Sequence, residues 1–143
     1  MRASKISIQE ALDNLIDEFS FLETWEERYS YIIEMGNEIE PYPPDKQDNA
    51  HKIEGCISQV WYMSYQNEDG SLHMVADSDA FIVKGLIAIL FRLYNDRMPH
   101  EITNFDHEVF FKRLGLEGYL SPNRRNGFVS IFQRIKQDGE SML

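Results

Sequence analysis

Cysteine is almost missing from this chain: its 143 residues include one, Cys56. A lone thiol closes no disulfide within its own chain, builds no multi-thiolate metal site and has no resolving partner. The disulfide-dense architecture of small secreted domains is thereby excluded. Long hydrophobic runs are missing as well. The longest, residues 80–91, is interrupted by Lys84 and is too short to cross a bilayer. Residues 1–9 contain no apolar core of a signal peptide, so the chain is expected to be cytoplasmic. Cations are scarce: 14 Lys and Arg stand against 24 Asp and Glu, for a net charge of −10. That balance speaks against binding nucleic acid or an anionic membrane surface. Cys-x-x-Cys, His-Glu-x-x-His and glycine-rich phosphate loops are all lacking, so neither a metal nor another cofactor is expected.

What is present suits an ordinary globular core. Apolar residues make up 43% of the chain, and the length suits one domain over residues 1–143. A chain of this size buries roughly 68–70% of its unfolded surface without needing staples. No internal repeat and no low-complexity tract interrupts it.

Ser7-Ile8-Gln9-Glu10 has capping-box spacing, and Ala11, Leu12, Leu15, Ile16 and Phe19 follow at helical intervals. Thr24-Trp25-Glu26-Glu27 repeats the start signal, with Trp25, Tyr29, Ile32 and Ile33 as one stripe and Gly36 as the expected stop. The three prolines of Pro41-Tyr42-Pro43-Pro44 forbid a helix and predict an extended loop inside the domain. Residues 60–65 alternate and are rich in β-formers. Leu72, Met74 and Ala76 alternate beyond Asn67-Glu68-Asp69-Gly70, which predicts an antiparallel hairpin. Residues 51–53 are expected to add a short third strand leading to Cys56.

Asp77-Ser78-Asp79 offers capping oxygens to a central buried helix carrying Phe81, Ile82, Leu86, Ile89, Leu90 and Leu93. Asp106 is expected to cap a short helix ending at Gly115. Ser121-Pro122 opens a closing helix with Phe128, Ile131, Phe132 and Ile135 on its stripe. Helices, then a small three-stranded antiparallel sheet, then helices make an α+β fold.

The chemistry centres on Cys56. An unperturbed thiol is only a few per cent ionised near neutrality, which still permits attack on sulfur without a dedicated base. Gly55 gives the backbone freedom, and Ser58 and Gln59 offer hydrogen bonds to a sulfur anion or a partner's backbone. His51 and Lys52 would lower the thiol pKa, while Glu54 opposes them. Cysteine is also among the most often buried residue types, so a small core side chain is the competing reading; from the residue alone both stand. His51, His73, His100 and His107 lie in no hydrolytic motif and are expected to be solvated surface side chains. Arg124 and Arg125, beside Asn126-Gly127, form the one compact basic spot and could dock a partner.

Five stretches together resemble the SufE-like sulfur acceptor family, its CsdE branch included. They are Gly55-Cys56-Ile57-Ser58-Gln59-Val60-Trp61, Ala76-Asp77-Ser78-Asp79-Ala80, Ile82-Val83-Lys84-Gly85-Leu86, Phe110-Phe111-Lys112-Arg113-Leu114-Gly115-Leu116 and Leu120-Ser121-Pro122-Asn123-Arg124-Arg125-Asn126-Gly127. The likeness runs from about residue 27 to residue 135, with the motifs in family order.

The resemblance implies a fold shared with iron–sulfur scaffold proteins of the NifU and IscU type. It implies that Cys56 takes sulfane sulfur from a pyridoxal-phosphate cysteine desulfurase of the SufS or CsdA kind, stimulates it, and passes the sulfur to a downstream iron–sulfur scaffold. The chain would then be an accessory protein, not an enzyme. Ser58 and Gln59 would belong to a mobile tip, Asp79 to an acidic motif that influences it, and Arg124 and Asn126 to the partner surface. Position 57 departs from the pattern: it is isoleucine where a polar residue, often glutamine, is usual. Two other roles remain open: a non-catalytic desulfurase-activating adaptor, and a thiol redox sensor. IscU-type scaffolds hold a cluster with several thiolates, so one thiol suits a carrier better than a scaffold.

Overall fold

Both N-terminal start signals are used. In a computed structural model describing residues 6–53, 58–105, 112–116 and 121–142, with the side chains of Asn123 and Arg124 outside the description, Ser7 Oγ accepts the Glu10 N–H at 3.0 Å. It thereby caps α1 (Ile8–Ser20). Thr24 Oγ1 accepts the Glu27 N–H at 3.2 Å and caps α2 (Trp25–Asn37). Ile8, Ala11, Leu12, Leu15 and Phe19 recur on one face of α1 and are buried there.

Gly36 does not end α2, as the sequence suggested. It lies inside the helix at the crossing with α3 (Phe81–Tyr94), where a Cβ would stand 2.6 Å from the Gly85 amide nitrogen. A Cβ on Gly85 would overlap the Ile32 carbonyl and side chain. The two glycines let the backbones touch, a closeness no larger residue allows.

α3 is the central helix, with Ile82, Leu86, Ile87, Ile89, Leu90, Leu93 and Tyr94 all buried. Its start differs from expectation in two ways. The N-cap is Ala80, without a side-chain cap bond, because the preceding strand runs through Ser78. Phe81, expected on the buried stripe, is 69% exposed.

The hairpin pairs β1 (Val60–Gln66) with β2 (Leu72–Ser78), Val60 opposite Ser78 and Gln66 opposite Leu72. Asn67 N–H donates to Ser71 O at 2.8 Å to close the loop, and Gly70 takes the positive φ of 91° that the turn requires. Among the described residues the sheet has two strands, not three. Residues Asn49–His51 form a 3₁₀ turn capped by Asp48, which accepts the His51 N–H at 3.1 Å. Only a single bridge between Lys52 and Trp61, with Ile53 N–H on Val60 O at 2.9 Å, remains of the expected third strand.

β2 is buried on both faces, whereas β1 becomes exposed toward Gln66. Helices cover one face of β2. The other carries the proline-containing strap, residues 38–53, which touches β2 at two points: Glu40 on His73 at 2.9 Å and Gln47 on Asp77 at 2.8 Å. Tyr42, between those points, is buried, and its hydroxyl donates to Lys46 O at 3.0 Å. The prolines thus lie in a loop within the fold, seated along a strand. Pro44, however, opens a 3₁₀ turn over Pro44–Lys46 where an extended run was expected, because proline's fixed φ suits a first helical turn.

α4 (Pro99–Thr103) packs on α5 (Pro122–Ser141), which begins at the proline after Ser121 as expected. α5 places Phe128, Ile131, Phe132 and Ile135 in the core. The Asp106 cap falls outside the described residues. The whole is an α+β fold with helices flanking a small antiparallel sheet. No helix among the described residues is long and apolar enough to cross a membrane.

Candidate functional site

Cys56 and Gly55 lie outside the described residues, and so does the side chain of Arg124. What is described is the pair of chain ends between which Cys56 falls in sequence. On the incoming side, buried Ile53 is tied to Val60 by its backbone N–H. On the outgoing side, the Gln59 N–H donates to Asp79 Oδ1 at 3.0 Å, and the Asp79 N–H donates back to Gln59 O at 3.3 Å. This reciprocal clasp links Gln59 to the junction of β2 and α3.

The clasp explains why Asp79 does not cap α3: its carboxylate is turned to Gln59. Ser78 Oγ accepts the Ala80 N–H at 3.2 Å, and Asp77 Oδ1 accepts the Ser78 N–H at 2.8 Å. Lys84 approaches the same Asp77 carboxylate at 3.5 Å. The three side chains Asp77, Ser78 and Asp79 therefore serve a strand end, a strap and a loop, and none caps the helix they precede.

Of the candidate residues, Gln59, through its backbone, and Asp79 are brought together, and Ser58 is half-buried next to Gln59 in sequence. Asn126 is exposed in the first turns of α5, and the described hydrogen bonds do not join it to the clasp. Phe81, two residues past Asp79, adds an exposed aromatic that the sequence pattern had assigned to the interior. His51 is committed elsewhere: its Nδ1 lies 2.6 Å from Asp48 Oδ1, an interaction that holds the Asp48 carboxyl below its usual range. The imidazole expected to assist the thiol is thus already partnered.

His73 overturns the expectation of a solvated surface histidine. It is 2% exposed, with Nδ1 at 2.7 Å from Asp96 and Nε2 at 2.9 Å from Glu40. Single-sequence reasoning missed it because the alternation of β2 assigned one face of the strand to solvent. A second buried polar group joins β1 to α5. Tyr62 and Ser64 donate to Asp138 Oδ2 at 2.9 and 2.6 Å, and Arg134 lies over the Tyr62 ring at 5.5 Å. Burial first, then the Asp138 charge and hydrogen bond, push the Tyr62 phenol well up, so it stays neutral and donating. Among the described residues no cluster of His, Cys, Asp and Glu has the makings of a metal site.

Comparison with known proteins gives a consistent result. Residues 13–139 match the SufE family, described as an Fe–S metabolism associated domain. An uncharacterized SufE-like protein of Rhizobium meliloti is 39% identical over 136 residues, covering 93% of this chain and 97% of that protein. The cysteine desulfuration protein SufE of Wigglesworthia glossinidia brevipalpis is 42% identical over 131 residues, covering 91% and 90%. The solution structure of a hypothetical protein from Thermus thermophilus superposes with a TM-score of 0.74 at 18% identity, covering 92% of this chain and 95% of that one. That last likeness concerns the fold alone.

Proposed function

The chain belongs to the SufE family, and from that premise we propose that Cys56 accepts sulfur from a cysteine desulfurase and carries it toward iron–sulfur cluster assembly. The observation that supports this reading is the family match across residues 13–139, a span that includes the chain's only cysteine.

The step balances without an external oxidant. The donor presents a persulfide, whose outer sulfur is already at the sulfane level. The Cys56 thiolate attacks that outer sulfur, a new S–S bond forms, the donor S–S bond breaks, and the donor cysteine leaves as a thiolate. Cys56 is left as a persulfide that a downstream scaffold attacks in the same way. The pyridoxal phosphate that liberates sulfur from free cysteine belongs to the desulfurase.

The described residues contribute the loop's attachments. Ile53 on Val60 is a buried, strand-like anchor. The Gln59–Asp79 clasp is exposed and consists of two hydrogen bonds, so it is the weaker end. The loop is proposed to swing out by releasing Gln59 while Ile53 holds. Phe81 and the Arg124–Asn126 segment are proposed to supply an apolar and a basic contact to the docked desulfurase.

Incubation with a cysteine desulfurase and free cysteine, followed by mass spectrometry, tests the reading. The wild-type chain should gain one sulfur atom at Cys56, and Cys56→Ser should gain none while folding normally. A wild-type chain that stimulates the desulfurase without gaining sulfur would instead be an adaptor.

A further inference from the structure

His73 sits where three segments of the chain meet: β2, the Asp96 turn that follows α3, and the strap. Asp96 occupies the left-handed region at φ 59°, which turns its carboxylate back toward the sheet. Each ring nitrogen of His73 faces a carboxylate oxygen at hydrogen-bonding distance, Asp96 Oδ1 at 2.7 Å and Glu40 Oε1 at 2.9 Å.

An ionised carboxylate only accepts, and a neutral imidazole has one N–H and one bare lone pair. Both contacts are hydrogen bonds only if the ring carries two protons. With the ring 2% exposed, no bulk water is on hand to replace either partner. We propose that His73 is a doubly protonated pin that fastens the strap to β2 and releases the Glu40 side as pH rises.

The groups that face the ring decide which side gives way. From β1, the Tyr65 ring packs at 5.1 Å. From the hairpin loop, Asn67 Nδ2 donates to Asp96 Oδ1 at 2.9 Å, so that oxygen has a second donor holding it. From the strap comes Glu40, whose side chain is 53% exposed and whose carboxylate can turn to water. The charges acting on His73 are those of Asp96 and Glu40.

Loss of one proton therefore leaves Nδ1–H on Asp96 and sets the Nε2 lone pair against Glu40. Burial opposes the charged ring, but the hydrogen bonds from Asp96 and Glu40 and their charges outweigh it, leaving the folded-state pKa raised above 6.5. The sign follows. The pin's stabilisation is fully present below the unfolded value and is lost as pH climbs through the higher folded value. The strap remains fastened further on, where Gln47 Nε2 donates to Asp77, so release is confined to its first part.

Two measurements on the full chain test this. Nitrogen-15 spectra of the imidazoles should show both His73 nitrogens protonated at pH 7, with titration above that of a histidine in an unfolded peptide. Amide exchange at Ile39, Glu40 and Tyr42 should then rise with pH more steeply than in an unstructured reference, with about fivefold loss of protection across the titration. Glu40→Gln keeps the Asp96 contact and the fold. It should lower the His73 titration and remove the pH dependence of strap exchange, because an amide there accepts from protonated Nε2 or donates to the bare nitrogen. A neutral, single-tautomer His73 at pH 7 overturns the proposal. So does strap exchange that tracks the reference, or a Glu40→Gln variant that titrates like the wild type.

Discussion

Replacing Asp79 by alanine removes one of the two hydrogen bonds in the clasp and leaves the other, Asp79 N–H to Gln59 O, in place. A hydrogen bond to an ionised group contributes about 1.5–3 kcal/mol when well shielded. This one is exposed, and water takes over the freed Gln59 N–H, so about 1 kcal/mol is the appropriate size. That corresponds to about a fivefold larger open population of the loop. If the open loop is the form that reacts, the rate of thiol alkylation scales with that population. The readout needs no assignment, because Cys56 is the only cysteine. Asp79→Ala should therefore be alkylated about fivefold faster than wild type at unchanged pH. Asp79→Asn retains an oxygen acceptor and should stay within about twofold of wild type. Thermal unfolding should be nearly the same in all three, since the clasp lies at the surface. Equal alkylation rates in Asp79→Ala and wild type would refute the clasp as the restraint on the loop. Equal acceleration in both variants would assign the effect to charge and not to the hydrogen bond.

Two further perturbations probe how the scaffold holds the site. Gly85→Ala gains about 1 kcal/mol of helix propensity but drives a methyl into the Ile32 carbonyl, and overpacking of that kind costs typically about 1–3 kcal/mol or more. A net drop of several degrees in unfolding temperature is expected, and an unchanged or raised midpoint would contradict the close crossing. Because Gly36 meets Gly85 at the same point, Gly36→Ala should cost less in the Gly85→Ala background than alone. Asp138→Ala should destabilise more than Tyr62→Phe in urea unfolding. The first strands a buried phenol, whereas the second leaves Asp138 still bonded to Ser64. The reverse order would show that the carboxylate is not what satisfies Tyr62.

Features encoded by neighbours in sequence were the ones that could be read from it. The caps of α1 and α2 need only Ser7 with Glu10 and Thr24 with Glu27, and the hairpin needs only alternation and Gly70. The start of α5 follows from a proline that suits a first helical turn. Features set by distant segments were not readable. Asp77, Ser78 and Asp79 have the composition of a cap, but strand pairing carries β2 through Ser78 and the Gln59 amide claims Asp79. Residues 51–53 look extended, yet Asp48 captures the His51 amide and turns the chain before a third strand can form. Gly36 reads as a stop because glycine often ends helices; only the approach of α3 makes it a contact. His73 was out of reach for the same reason, since nothing local announces that the strap covers the second face of β2.

The candidate site shows the same division. The proposed reacting atom comes from the sequence alone, because a chain with a single thiol offers few alternatives for sulfur chemistry. How the loop is held was not, because its outgoing anchor comes from Asp79, twenty residues further along. That unequal anchoring bears on the proposed chemistry. A carrier must hand its persulfide to a second protein, which a rigidly buried thiol cannot do, and must otherwise shield it from other thiols, which a free loop cannot do. The proposed swing, with Ile53 holding and the exposed Gln59–Asp79 clasp released, would meet both demands. Releasing the clasp would cost about two surface hydrogen bonds, small enough for contacts with a docked partner to supply.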